Sequence, residues 1–130
     1  MGHFPFILRL RKGVGNLWVI EQNPTGDDYP AQSAAALISR ADIVALTASS
    51  LINHILDNML APCSPEALVM ILGPSTPLSP VLFDYGATII AGSRVIDEAV
   101  VLNYIAQGAT FQQVTCVRLL AITRPGSSPV

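Results

Sequence analysis

Apolar residues in this chain come in short runs, separated by stretches with helical spacing. Leu17-Trp18-Val19-Ile20, Ile43-Val44-Ala45-Leu46, Leu68-Val69-Met70-Ile71-Leu72, Thr88-Ile89-Ile90-Ala91 and Val117-Arg118-Leu119-Leu120-Ala121-Ile122 predict five strands. The first four do not alternate strictly between polar and apolar. Near-continuous apolar strands are expected where helices cover both faces of a parallel sheet. Between them, residues 31–39 are Ala-rich and follow Pro30, which suits a first helical turn. Leu51, Ile52, Ile55, Leu56, Met59 and Leu60 form one helical face, with Ser49 or Ser50 as the cap. Ser79-Pro80 begins a short helix that Gly86 can stop. Asp97 can cap a helix carrying Val100, Val101, Tyr104 and Ile105, ended by Gly108. This alternation predicts an α/β fold with a parallel sheet and right-handed crossovers.

The N-terminus does not follow the alternation. Residues 4–12 read as a helix that Gly13 ends, yet no strand stands before it. At the other end, residues 125–130 form a Pro/Gly/Ser tail that is expected to be flexible. The expected organisation is one domain over residues 1–124, followed by that tail.

Composition narrows the function. The chain has 130 residues, 51% of them hydrophobic and 12% charged, against about 25% charged in an average soluble domain. Disorder needs the opposite balance. Seven Lys+Arg against nine Asp+Glu give a net charge of −2, which argues against a nucleic-acid binder. The uncharged stretch 67–83 contains Pro74, Pro77 and Pro80 and is not a spanning helix. Arg9, Arg11 and Lys12 follow the N-terminal apolar cluster rather than precede it, unlike a signal peptide. Cys63 and Cys116 are far apart, without metal-type spacing, and read as reduced thiols of a cytoplasmic protein.

In open α/β sheets, ligands bind beyond the carboxyl ends of the strands. The residues following the first four predicted strands are therefore the candidates. They are Glu21-Gln22-Asn23, Thr47-Ala48-Ser49-Ser50, Gly73-Pro74-Ser75-Thr76-Pro77 and Gly92-Ser93-Arg94. Glycines let backbone N–H groups approach a ligand, and hydroxyls donate to anions. Arg94 can make a bidentate contact, and Glu21 can accept from a ribose or sugar hydroxyl. Other motifs fall away. Gly13-Val14-Gly15 lacks the third glycine of a dinucleotide fingerprint and precedes a strand. Ser33, Ser39, Ser49 and Ser75 lack the glycines of a nucleophile elbow. His54, beside Asn53 and Asp57, reads as a surface or cap residue, and His3 falls in a candidate loop at the ligand edge.

Seven segments, in order, resemble one family. They are Gly2-His3-Phe4-Pro5, Glu21-Gln22-Asn23-Pro24, Ala41-Asp42-Ile43-Val44, Leu51-Ile52-Asn53, Leu72-Gly73-Pro74-Ser75-Thr76-Pro77-Leu78, Phe83-Asp84-Tyr85-Gly86 and Ala91-Gly92-Ser93-Arg94-Val95. The chain is similar to the putative heavy-metal chelation family, a domain of unknown function found in bacteria and archaea. Gly-Pro-Ser-Thr-Pro is the most specific segment. The resemblance implies a Rossmann-like, three-layer αβα sandwich with a mostly parallel sheet. Full-length members resemble a two-part protein, with a smaller N-terminal domain similar to the enolase N-terminal fold and a ligand cleft between the parts. The resemblance also implies a strand running directly into Gly2-His3-Phe4, interior to the sheet and beside the strand that precedes the Gly-Pro-Ser-Thr-Pro loop. That first strand is largely missing from this sequence, so a homo-oligomer or a partner chain is expected to complete the sheet. One loop departs from the family pattern, which resembles Thr-Gly-Ser-Thr-Leu-Ile-Asn-Gly-Thr. Here Ala48 and His54 replace its two glycines.

The expected function is therefore binding of a small polar or anionic ligand at the strand carboxyl edge. Glu21, Thr47, Ser50, Asn53, Gly73, Ser75, Thr76 and Arg94 are the candidate contacts. A divalent transition metal is the candidate cofactor, with His3 as its ligand or as an acid/base. The alternatives are a nucleotide-cofactor-dependent enzyme domain and a non-catalytic fragment or interaction module.

Overall fold

The computed structural model describes Phe4 and residues 6–127. Its centre is a four-stranded sheet made of β3 (Ile43–Thr47), β4 (Leu68–Leu72), β5 (Ile89–Val95) and β6 (Val117–Thr123), in the order β3-β4-β5-β6. β3, β4 and β5 are parallel, and β6 returns antiparallel to β5. The sheet is thus mostly parallel. Its predicted strands fall on the observed ones, with β5 longer than expected at its carboxyl end.

The first predicted strand forms differently. Only Ile20–Glu21 (β1) is a strand, and it pairs with Tyr29–Pro30 (β2) in a separate two-stranded ribbon. The sequence does not distinguish a strand of the main sheet from one held beside it, because both need the same apolar run. The open position in the main sheet also differs from the expectation. β4 is paired on both sides, by β3 and β5. A strand beside β4 has no place in this order, and the edge strands among the described residues are β3 and β6.

One face of the sheet holds the core. Val44, Leu46, Val69, Ile71 and Ile90 alternate along β3, β4 and β5 and pack against Ala34, Ile38, Leu56, Leu60 and Leu82. Ile71 and Ile90 are completely buried. Burying each such side chain contributes about 1.5–3 kcal/mol. The opposite face is less covered: Ile43 and Leu119 are exposed there, at 56% and 67%. The continuous apolar runs predicted cover on both faces, and one face is covered more closely than the other.

The helices are short. α1 is Ile7–Leu10, α2 is Ala34–Ile38 after a 3₁₀ turn at Ala31–Ser33, and α3 is Ser49–Ile52. They are followed by α4 (Leu56–Leu60), α5 (Val81–Asp84) and α6 (Glu98–Ala106). At α6, the Asp97 side chain accepts from the Val100 N–H at 3.1 Å, as its cap position predicts. Gly108 follows with a φ of 75°, the left-handed turn that glycine ends helices with. The single helix expected over residues 51–60 is instead two, broken at His54, whose φ is 54°. Periodicity hides such a break, because a turn of matching length keeps both halves on one apolar face. Pro125 and Gly126 form a turn closed by Ser127 N–H donating to the Arg124 carbonyl, and the rest of the expected tail lies outside the described residues.

Candidate functional site

The carboxyl ends of β3, β4 and β5 share one edge, because these strands are parallel. Thr47 closes β3, Gly73 follows β4, and the loop through Thr76 folds back over β5. A Cβ at Gly73 would sit 3.9 Å from Thr76 Oγ1 and 4.0 Å from Thr47 Oγ1. The two hydroxyls therefore converge on one glycine, whose φ of 133° excludes most other residues. Thr76 is 3% exposed, and its Oγ1 is buried without a hydrogen-bond partner among the described residues. A buried hydroxyl left unpaired costs about 1–3 kcal/mol.

The neighbouring hydroxyls have protein partners. Ser50 Oγ donates to the Thr47 carbonyl at 2.7 Å, which holds the turn from β3 into α3. Ser49 Oγ lies 3.3 Å from Thr47 Oγ1. Ser93 Oγ donates to the Pro74 carbonyl at 2.6 Å and ties the loop to β5. Gly92 supports the same loop: a Cβ there would be 2.3 Å from the Thr76 carbonyl oxygen.

The structure thus brings together Thr47, Ser50, Gly73 and Thr76 of the predicted set. Ser75 is exposed on the same loop, and Asn53 is exposed at the end of α3. Arg94 differs from its prediction. It does not follow a strand but lies within β5, exposed, opposite Arg118 of β6. Glu21 lies in the separate β1–β2 ribbon, with Oε1 buried and without a hydrogen-bond partner among the described residues. His3 lies outside the described residues. Sequence reading placed Gly92 at the edge without giving it a role. A glycine interrupting an apolar strand is the signal for a close backbone approach.

A cavity of about 650 Å³ runs along the free edge of β3. Trp18, Val19 and Ile20 line one side, β3 the other, and Ile7 and Leu10 of α1 also line it. Thr47 and Ser50 are its polar members next to the site. Arg40 sits over the Trp18 ring, 5.7 Å from its centroid.

The described residues offer no donor set for a metal ion. Among the described residues, no three His, Cys, Asp or Glu side chains gather closely enough to hold an ion. Burial pushes the Cys63 thiol above its ordinary pKa, which disfavours the thiolate that a metal would need. Among the described residues, no helix is long and apolar enough to cross a membrane.

The fold recurs in solved proteins. A protein of unknown function from Desulfitobacterium hafniense superposes with a TM-score of 0.81 at 28% identity, over 95% of this chain and 50% of that one. One from Pyrococcus horikoshii, also of unknown function, superposes with a TM-score of 0.81 at 23% identity, over 95% of this chain and 53% of its own. The chain therefore spans about half the length of these relatives. None of the curated proteins matches it in sequence. Residues 1–123 match the model of the family described as putative heavy-metal chelation, and the chain belongs to that family.

Proposed function

We propose that this domain binds a small polar or anionic ligand at the carboxyl edge of its sheet, around Thr47, Gly73 and Thr76. The observation that carries this reading is the Thr76 hydroxyl, shielded from solvent and without a protein partner. A ligand oxygen or nitrogen beside it would recover the lost hydrogen bond. Thr47 Oγ1 supplies a second polar group, and Ser50 holds the turn that presents it. Ser75, exposed on the same loop, and Arg94, exposed on β5, are the proposed rim contacts. A divalent metal enters this reading only through the family description and His3, since the described donors do not form a site.

Thermal denaturation of the wild type and Thr76→Val, with Zn²⁺, Ni²⁺, Co²⁺, inorganic phosphate and adenine nucleotides, tests it. The expected result is a saturable rise in Tm with at least one probe, lost in the variant. Unliganded Thr76→Val should be no less stable than the wild type, because an unpaired hydroxyl has been removed. Stabilisation by a nucleotide alone would favour the cofactor-enzyme reading. Equal shifts in both proteins would overturn the proposal.

The cavity favours a second reading, in which an added strand completes the sheet. Leu68 N–H donates to the Asp42 carbonyl, and Ala48 N–H to the Leu72 carbonyl. In a parallel ladder, alternate residues of a strand bond to the same neighbour. The N–H and C=O of Ile43, Ala45 and Thr47 therefore face the cavity. β1 lines the same cavity but is not paired with β3. Amide hydrogen exchange with light scattering tests this reading. Fast exchange at Ala45 and Thr47 in a monomer means an open edge. Protection there together with doubled mass means that a second copy fills it.

A further inference from the structure

Arg94 and Arg118 are register partners across β5 and β6. Directly opposite residues of an antiparallel pair share a face, with Cβ atoms about 4.5–5.5 Å apart, and like charges placed so are destabilising. Both side chains are exposed, and among the described residues neither has an ion-pair or hydrogen-bond partner. Other arginines are engaged: Arg11 with Asp27, Arg40 over Trp18, and Arg124 with the Phe83 carbonyl. In an acidic chain, two of the seven basic residues thus face each other without compensation.

Their position gives the pair a purpose. Alternation along β5 puts Arg94 on the same face as Gly92, about 7 Å further along the strand. Gly92 is where the Thr76 carbonyl presses on the sheet. The pair therefore lies on the sheet face that carries Gly92, two residues beyond the seat of the Thr76 loop. We propose that Arg94 and Arg118 together clasp one phosphate group of the ligand bound at this edge. A phosphate monoester carries about −1.5 to −2 at neutral pH and balances both cations. A carboxylate balances one. The guanidinium fork matches phosphate oxygens bidentately. The clasp rests on the strand-edge reading given above and assigns the ligand's charged group.

Calorimetric and thermal titrations with inorganic phosphate and with adenosine monophosphate, at constant ionic strength, test the clasp. They compare the wild type, Arg118→Gln, Arg118→Lys and Thr76→Val. Arg118→Gln should weaken binding about tenfold or more, the loss expected for a charge-assisted hydrogen bond. Arg118→Lys should fall between, keeping the charge but not the fork. Unliganded Arg118→Gln should be as stable as the wild type or more so, which separates lost binding from lost folding. Binding of the nucleotide but not of free phosphate, still sensitive to Arg118, supports the clasp and places the phosphate on a small molecule. No binding of either probe to the wild type, or equal affinity in Arg118→Gln, overturns it. Loss in Thr76→Val with retention in Arg118→Gln would remove the clasp and leave the strand-edge site. The converse would keep the clasp and remove Thr76 from the site.

Discussion

Gly92 and Thr76 touch through backbone: a side chain of even one carbon at Gly92 would come within 2.3 Å of the Thr76 carbonyl oxygen. The loop after β4 is seated on β5 only because position 92 has no Cβ. Gly92→Ala must displace either the loop or the strand. Overpacking of this kind costs about 1–3 kcal/mol. Thermal denaturation should show a Tm lowered by about 3–5 °C for each kcal/mol in a domain of this size. An unchanged Tm would mean that the loop is not seated there.

His54 holds a left-handed backbone, φ 54°, between α3 and α4. A side chain in that region costs about 1–2 kcal/mol, which glycine avoids at some cost in chain entropy. Glycine stands here in the family pattern. His54→Gly should therefore stabilise the protein by up to about 1 kcal/mol, read as a higher midpoint in urea. His54→Ala keeps the Cβ and should give no gain. The other replaced glycine behaves differently. Ala48 has φ −60°, which any residue adopts, so glycine there answers no backbone demand.

Cys63 donates weakly from Sγ to the Met59 carbonyl at 3.4 Å and is half-buried, while Cys116 is exposed. Burial raises the Cys63 pKa by desolvating the thiolate. The folded state therefore holds this proton more tightly than the unfolded chain. Stability owed to Cys63 is fully present below the unfolded thiol's pKa and is lost as pH rises through the folded value. Replacing Cys63 with Ala should flatten the alkaline fall of Tm. Alkylation at neutral pH, followed by mass spectrometry of peptides, should label Cys116 before Cys63. Faster labelling of Cys63 would contradict its burial.

Much of the architecture could be read directly from the residues. β3, β4 and β6 begin where the apolar runs begin, and Asp97, Gly86 and Gly108 mark helix ends by local chemistry. At Asp97 and Gly108 the cap and the left-handed turn need only near neighbours in the chain, so sequence carries them; at α3 the expected serine cap does not form, and Ala48 holds the cap position. The candidate loops were legible for the same reason, since they follow apolar strands and are rich in hydroxyls and glycine. Their unequal standing was not legible. Thr76 and Ser75 are adjacent and chemically alike, yet one hydroxyl is buried without a partner and the other residue is exposed.

Three features depended on tertiary structure. The pairing of β5 with β6 extended β5 to Val95 and set Arg94 against Arg118, a relationship between residues 24 positions apart. The strand order left β3 as an edge strand, with the cavity beside it. The seat of the Thr76 loop on Gly92 joined the ends of two strands. Sequence by itself determined the strands of the main sheet, the helix ends marked by Asp97, Gly86 and Gly108, and which loops carry polar chemistry, because hydrophobic period and backbone preference are local. Only the fold decided which polar groups meet and which stay unpartnered, because strand order and register are set by packing between distant segments.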